Sequence, residues 1–91
     1  MRELLIGETS LRTADGRPLT CTYHLIVRTV DEPVSFESYG VAVRIPETGE
    51  EERVFDITVS PARIEALTQL LLNGSVTPCT LEDVIEDWLA Q

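Results

Sequence analysis

The chain has 91 residues, enough for one domain with a single core and too few for two domains, so residues 1–91 are expected to fold together. Sixteen acidic residues face seven basic ones, all of them arginine, and the formal net charge is −9. A chain this acidic repels nucleic-acid phosphates and anionic membrane surfaces, so we expect neither as a partner.

The N-terminal segment contains only a short apolar run, Leu4-Leu5-Ile6. A signal-peptide core or a membrane span needs a much longer run. We therefore expect the protein to stay in the cytoplasm, where Cys21 and Cys79 would be reduced thiols.

The first two thirds of the chain are rich in β-branched and aromatic residues and are divided by turn signals at Asp15-Gly16, Asp31-Glu32-Pro33 and Pro46-Glu47-Thr48-Gly49. This pattern predicts strands at about residues 2–12, 19–30, 34–45 and 52–59. Because the turns are short, consecutive strands should pair as an antiparallel meander.

Alternation along the strands separates two faces of this sheet. One face is apolar and is expected to pack on helices; it includes Tyr23, Val41 and Phe55. The opposite face is mixed, because it carries Ile26, Val30, Ala42 and Val54. The exposed face of a monomeric sheet is usually more polar than that, so the sequence suggests a self-association face that a homodimer would cover.

After residue 59 the apolar period becomes that of a helix. Ser60 is expected to cap the first helix with Pro61 at its first position, and Gly74 is suited to end it in the left-handed conformation. A second helix should open with Thr80 as its N-cap. Its apolar residues recur at helical spacing and should be buried, with Trp88 the largest contributor to packing: Leu81, Val84, Ile85, Trp88 and Leu89.

The order of elements predicts an α+β fold, in which a four-stranded antiparallel β-meander is followed by two C-terminal α-helices packed on one face of the sheet. The polar side of the second helix carries Glu82, Asp83, Glu86 and Asp87. These like charges repel one another, and the last two lie toward the negative end of the helix dipole. The pattern fits either simple solubility or a surface that binds a basic protein, including by mimicry of nucleic acid.

The sequence shows no catalytic, cofactor-binding or metal-binding motif, and no cofactor is expected. Without lysine there can be no Schiff base and no P-loop, and no zinc or calcium pattern is present. Cys79 precedes a helix and is the best candidate nucleophile, although it also fits a hydrophobic staple with Val84. His24 fits surface packing better than acid–base catalysis, and Asp56 is expected to face solvent or pair with Arg28 or Arg44.

Three segments resemble a family of small bacterial proteins, mostly clostridial and other Firmicutes, classed as a domain of unknown function. They are Tyr39-Gly40-Val41, Asp56-Ile57-Thr58 and the C-terminal stretch from Leu81 to Leu89. The resemblance spans about residues 23–89 and implies no activity, ligand or site residue.

Three functional hypotheses follow from the sequence. The first is a non-enzymatic protein-interaction module that self-associates. The second is an acidic regulator that binds a basic protein partner through its C-terminal helix. The third, and the least favoured, is a small enzyme that uses Cys79 or His24.

Overall fold

The computed structural model describes all 91 residues and contains the α+β arrangement expected from the sequence. A four-stranded antiparallel sheet has the strand order β1-β2-β3-β4 and is followed by the helical layer. The elements are β1 (Arg2–Arg12), β2 (Pro18–Val30), β3 (Phe36–Ile45), β4 (Glu50–Thr58), α1 (Pro61–Asn73) and α2 (Leu81–Leu89), with a 3₁₀ turn over Pro78–Thr80 before α2. No helix is long and apolar enough to cross a membrane.

The turns follow from local chemistry. Gly16 and Gly49 have φ angles of 84° and 79°, in the left-handed region where only glycine is free of strain. The third strand begins at Phe36 and not at residue 34, because the turn after Asp31 extends through Pro33 and Val34. A strand at that point would need the backbone donor that proline lacks.

A bulge in β4 breaks the alternation of its side chains. Tyr39 pairs with Thr58, but Val41 pairs with Val54, so the segment around Asp56 is extra relative to β3. Asp56 itself has a φ angle of 55°. As a result Val54 lies beside Val41 on the helix-facing side, and its predicted position on the opposite face was wrong. Phe55, which was expected on the packed apolar face, is 46% exposed.

The core lies between one face of the sheet and the helices. It contains twelve buried residues: Cys21, Tyr23, Val41, Val43, Ile45, Ile64, Leu67, Leu71, Val76, Leu81, Ile85 and Trp88. The predicted burial of Trp88 is confirmed, with 9% of the residue exposed, whereas Leu89, which was also expected to be buried, is 49% exposed. The guanidinium of Arg63 lies 4.5 Å from the centroid of the Trp88 ring, which joins α1 to α2 by a cation–π contact.

The start of α1 matches the prediction, because the Ser60 hydroxyl accepts the Arg63 backbone N–H and Pro61 opens the helix. Its end differs: Gly74 is right-handed, and the positive φ falls on Ser75 at 49°. The backbone N–H of Gly74 still reaches the Leu70 carbonyl, so the helix ends without a left-handed glycine.

The start of α2 differs from the predicted cap. The Thr80 side chain makes no capping hydrogen bond and instead donates to the Thr77 carbonyl within the 3₁₀ turn. Cys79 is exposed, so it does not form the predicted hydrophobic staple with Val84. The 3₁₀ turn causes both differences, because it takes up the residues that would have preceded the helix.

The helical layer is shorter than the sheet it covers. The molecule extends 52 × 27 × 17 Å, and β2 alone has 13 residues, which corresponds to roughly 43 Å. The helix α1 also has 13 residues but spans only about 20 Å. Part of the helix-facing side of the sheet is therefore left uncovered.

Candidate functional site

The exposed side of α2 carries the acidic surface, which we define as Glu82, Asp83, Glu86 and Asp87. All four residues are exposed, whereas Leu81, Ile85 and Trp88 face the core. None of the four carboxylates forms an ion pair within the chain, and no basic residue lies in the last turn of the helix. The acidic surface predicted from the sequence is therefore presented entirely to solvent.

The arginines that could have neutralised the acidic surface are all engaged elsewhere. Five of them pair with carboxylates: Arg2 with Glu37, Arg17 with Asp15, Arg28 with Asp56, and both Arg44 and Arg53 with Glu3 and Glu51. Arg12 donates to the Gly16 carbonyl and Arg63 stacks on Trp88. The negative charge of the acidic surface thus has no counterion in this protein.

The outer face of the sheet, which is the face turned away from the helices, carries an ion network that crosses all four strands. Glu3 on β1 contacts Arg53 on β4 at 2.6 Å and Arg44 on β3 at 3.6 Å. Glu51 on β4 pairs with the same two arginines, at 3.2 Å for Arg53. Hydrogen bonds from Arg44 and Arg53 hold the pKa of Glu51 below its ordinary value.

This network lies over the small apolar residues of the outer face. Ile26 is 1% exposed and Ala42 is fully buried, although no helix packs on that side. Ala42 pairs with Arg53, and Ile26 pairs with Glu3, so the long charged side chains cross directly above both residues.

The four residues of the predicted self-association face are consequently not one exposed patch. Ile26 and Ala42 are covered, Val54 faces the helices, and only Val30 remains half-buried at the end of β2. The sequence pattern could not show this, because the network depends on side chains from distant strands.

His24 lies within the same network and is mostly buried. Its Nε2 is 3.0 Å from the Thr22 hydroxyl, and its Nδ1 is 3.8 Å from a Glu3 carboxylate oxygen. Burial lowers the pKa of His24 below its ordinary value, and the charges of Arg44 and Arg53 add to that effect, while Glu3 opposes it. These contacts give His24 a packing role in the sheet.

The two cysteines occupy different environments and are both free thiols. Cys21 is fully buried, its Sγ lies 3.6 Å from the Val76 carbonyl, and burial raises its pKa. Cys79 is exposed beside a shallow depression of about 220 Å³ lined by Glu50, Glu51 and Glu52. The lining of that depression includes no histidine that could act as a general base toward Cys79.

Asp56 pairs with Arg28, one of the two partners expected from the sequence. The Arg28 Nε and Nη2 atoms lie 3.0 and 2.9 Å from its Oδ1 atom. Hydrogen bonds from Ser38 and Arg28 lower the pKa of Asp56. The residue therefore links the bulge of β4 to β3 through Ser38 and to β2 through Arg28.

The largest concave feature of the molecule, which we call the α1 groove, was not predicted from the sequence. It lies between α1 and the uncovered part of the sheet and has a volume of about 450 Å³. Ile6, Leu25, Tyr39 and Ile64 supply its apolar lining, and Glu65 and Gln69 stand along α1 at its side. The mismatch between strand and helix lengths was the signal that could have predicted it.

Neither concave feature contains a recognisable catalytic set. The α1 groove has one carboxylate and no histidine or cysteine, and the second depression has three carboxylates and Cys79 but no histidine, lysine or arginine. No group of three or more His, Cys, Asp or Glu side chains is placed to hold a metal ion.

Comparison with known proteins gives a family and nothing beyond it. A family model described as "Family of unknown function (DUF6514)" matches residues 2–91. No curated protein and no solved structure matches the chain.

Proposed function

The chain belongs to the family of unknown function DUF6514, and within that family we propose that it is a non-enzymatic protein-interaction module of the bacterial cytoplasm that binds a basic protein. The single observation that carries this proposal is the acidic surface. Four exposed carboxylates share one side of a short helix, and every arginine of the chain is committed to another contact.

The arrangement is costly for the isolated helix. Glu86 and Asp87 lie near the C-terminal end of α2, where the helix dipole is negative, and no cation offsets them. Like charges one turn apart also repel, as Glu82 and Glu86 do. A cationic partner would remove both penalties, which supports binding as the reason for this charge pattern.

The test is capture of partners from a lysate of the source bacterium on the tagged protein, with mass spectrometry at low and high salt. The matched control replaces the acidic surface by E82Q/D83N/E86Q/D87N. We expect a basic protein that is retained by the wild type at low salt, is released at high salt and is not retained by the variant. Equal retention of that protein by the variant would contradict the proposal.

Self-association remains a second candidate, now supported by different residues. The two edge strands β1 and β4 have free backbone groups, and three large apolar side chains are exposed on the sheet: Leu5, Phe36 and Phe55. Edge-to-edge pairing would satisfy those backbone groups and place Leu5 of β1 or Phe55 of β4 beside the seam. Light scattering tests this directly: a dimer mass that persists on dilution supports it, and a monomer at high micromolar concentration contradicts it.

A further inference from the structure

The α1 groove is the feature of the molecule that neither the core nor the acidic surface accounts for. Leu25 and Tyr39 belong to the helix-facing side of the sheet but remain half-buried, because α1 covers them only in part. The adjacent Leu4 is 45% exposed and lies opposite Leu25 on the same face. The groove therefore continues into an open apolar strip of the sheet.

The size of the groove suits the side chains of a partner. A volume of about 450 Å³ falls in the range of about 300–1,000 Å³ that ligand sites occupy. It is open along α1 and not enclosed, so a chain can lie across it with an apolar side chain inserted. A single small metabolite would leave the strip next to Leu4 uncovered.

The charge at the side of the groove indicates which residue of the partner would lie next to the inserted apolar side chain. Glu65 is exposed at the side of the groove and forms no ion pair within the chain. Gln69, one turn further along α1, offers a neutral hydrogen-bonding group. A partner segment that carries a cationic side chain beside an apolar one would be complementary to Glu65 and to the apolar lining of the groove.

A second copy of the chain does not meet this requirement. It has no lysine, and all seven of its arginines are already engaged. The occupant is therefore a different molecule.

We propose that the α1 groove binds a peptide segment of another protein in which an apolar side chain is adjacent to an arginine or lysine. The site is separate from the acidic surface. Arg63 and Glu65 lie about 200° apart around α1, and Arg63 stacks on Trp88 of α2, so α2 packs on the side of α1 away from the groove. The two surfaces can be tested independently.

The experiment is an NMR titration of the full-length, isotope-labelled protein with the synthetic peptide acetyl-Gly-Leu-Leu-Arg-Gly-amide. The matched peptide has glutamine in place of arginine. The groove variants are Glu65→Gln, which removes the charge, and Gln69→Trp, which fills the groove from an exposed position. The controls are Glu86→Gln on the acidic surface and Ala66→Trp, an exposed position of α1 outside the groove lining.

We expect peptide-induced shifts at Leu25, Tyr39 and Ile64, with a Kd near the millimolar range. Glu65→Gln should weaken binding of the arginine peptide about three- to ten-fold and leave binding of the glutamine peptide unchanged. Gln69→Trp should weaken binding of both peptides by about ten-fold or more. The two control variants should bind like the wild type. No shift at about 5 mM peptide, shifts confined to α2, or unchanged affinity in both groove variants would overturn the proposal.

Discussion

Single residues in this fold are constrained by what lies beside them, and Trp88 is the clearest case. It is buried, fills the space between α2 and the core, and accepts the Arg63 guanidinium on its ring face. Trp88→Ala should lower the free energy of unfolding by about 3–5 kcal/mol, a large part of the stability of a small domain. Leu89→Ala is the matched control on the next residue, which is 49% exposed. Urea unfolding that gives the two variants equal stability would show that Trp88 is not part of the core.

Gly40 is constrained by the bulge in β4. A Cβ atom at this position would meet the Val54 carbonyl oxygen and would lie 2.9 Å from the Phe55 Cα. Both are backbone atoms and cannot move aside without disrupting the strand pair. Gly40→Ala should therefore lower the free energy of unfolding by about 1–3 kcal/mol or more.

Gly7 provides the control for that substitution. A Cβ atom there would meet only the end of the Leu72 side chain, at 3.1 Å, and that side chain can shift. Gly7→Ala should cost clearly less than Gly40→Ala in the same unfolding measurement. If the two losses were equal, the close approach of β4 to Gly40 would not be the cause.

At the scale of elements, the outer face of the sheet makes stability depend on pH through His24. The pKa of His24 is below its ordinary value of 6.5 because burial disfavours the charged ring. The unfolded chain therefore binds the proton first, and stability is full above about pH 6.5 and falls as the pH decreases below it. Carboxylates contribute only at lower pH, since the ordinary value for Glu51 is 4.5 and its folded pKa is lower.

The variant His24→Gln isolates this effect, because glutamine can keep a hydrogen bond to Thr22 but cannot titrate. The wild type should lose stability between about pH 7.5 and about pH 5.5, whereas His24→Gln should change little over that interval. Thermal melts at the two pH values check this. An equal loss in both proteins would assign the dependence to other groups.

The charges of α2 should also affect its own stability, with a sign that depends on position. Glu86→Gln/Asp87→Asn removes negative charge from the end of the helix where the dipole is already negative. We expect the melting temperature to rise by about 1–4 °C. Glu82→Gln/Asp83→Asn is the matched pair in the first turn, where carboxylates are favourable, and should lower it. The same direction of change in both pairs would contradict the dipole argument.

The elements themselves were largely predictable from the sequence. Alternation of apolar residues predicted the four strands, and Ser60-Pro61 predicted the start of α1. Helical spacing predicted the buried side of α2, with Trp88 in the core. What could not be predicted came from contacts across strands. The bulge at Asp56 moved Val54 to the helix-facing side and accompanies a close approach of the β4 backbone to Gly40, which no local pattern reveals.

At the scale of the whole molecule, the same limit applies to the binding surfaces. The acidic surface was predicted because its four carboxylates lie within one helix and its exposure follows from helical periodicity. The burial of Ile26 and Ala42 beneath the ion network requires Glu3, Arg44 and Arg53 from three different strands. The α1 groove depends on the relative lengths of the sheet and the helices, which is a property of the assembled fold.

In the whole molecule the arginines stabilise the sheet and the helix junction, whereas four of the acids that form no ion pair lie together on α2. That separation is what makes a cationic partner the best-supported one.

The most direct test is the salt dependence of the Kd for the captured basic protein, measured by fluorescence anisotropy with the wild type and with E82Q/D83N/E86Q/D87N. The account predicts that the wild-type Kd rises steeply as salt increases, and that the variant binds about ten-fold or more weakly at low salt with a much flatter dependence. The same Kd and the same salt dependence in both proteins would contradict it.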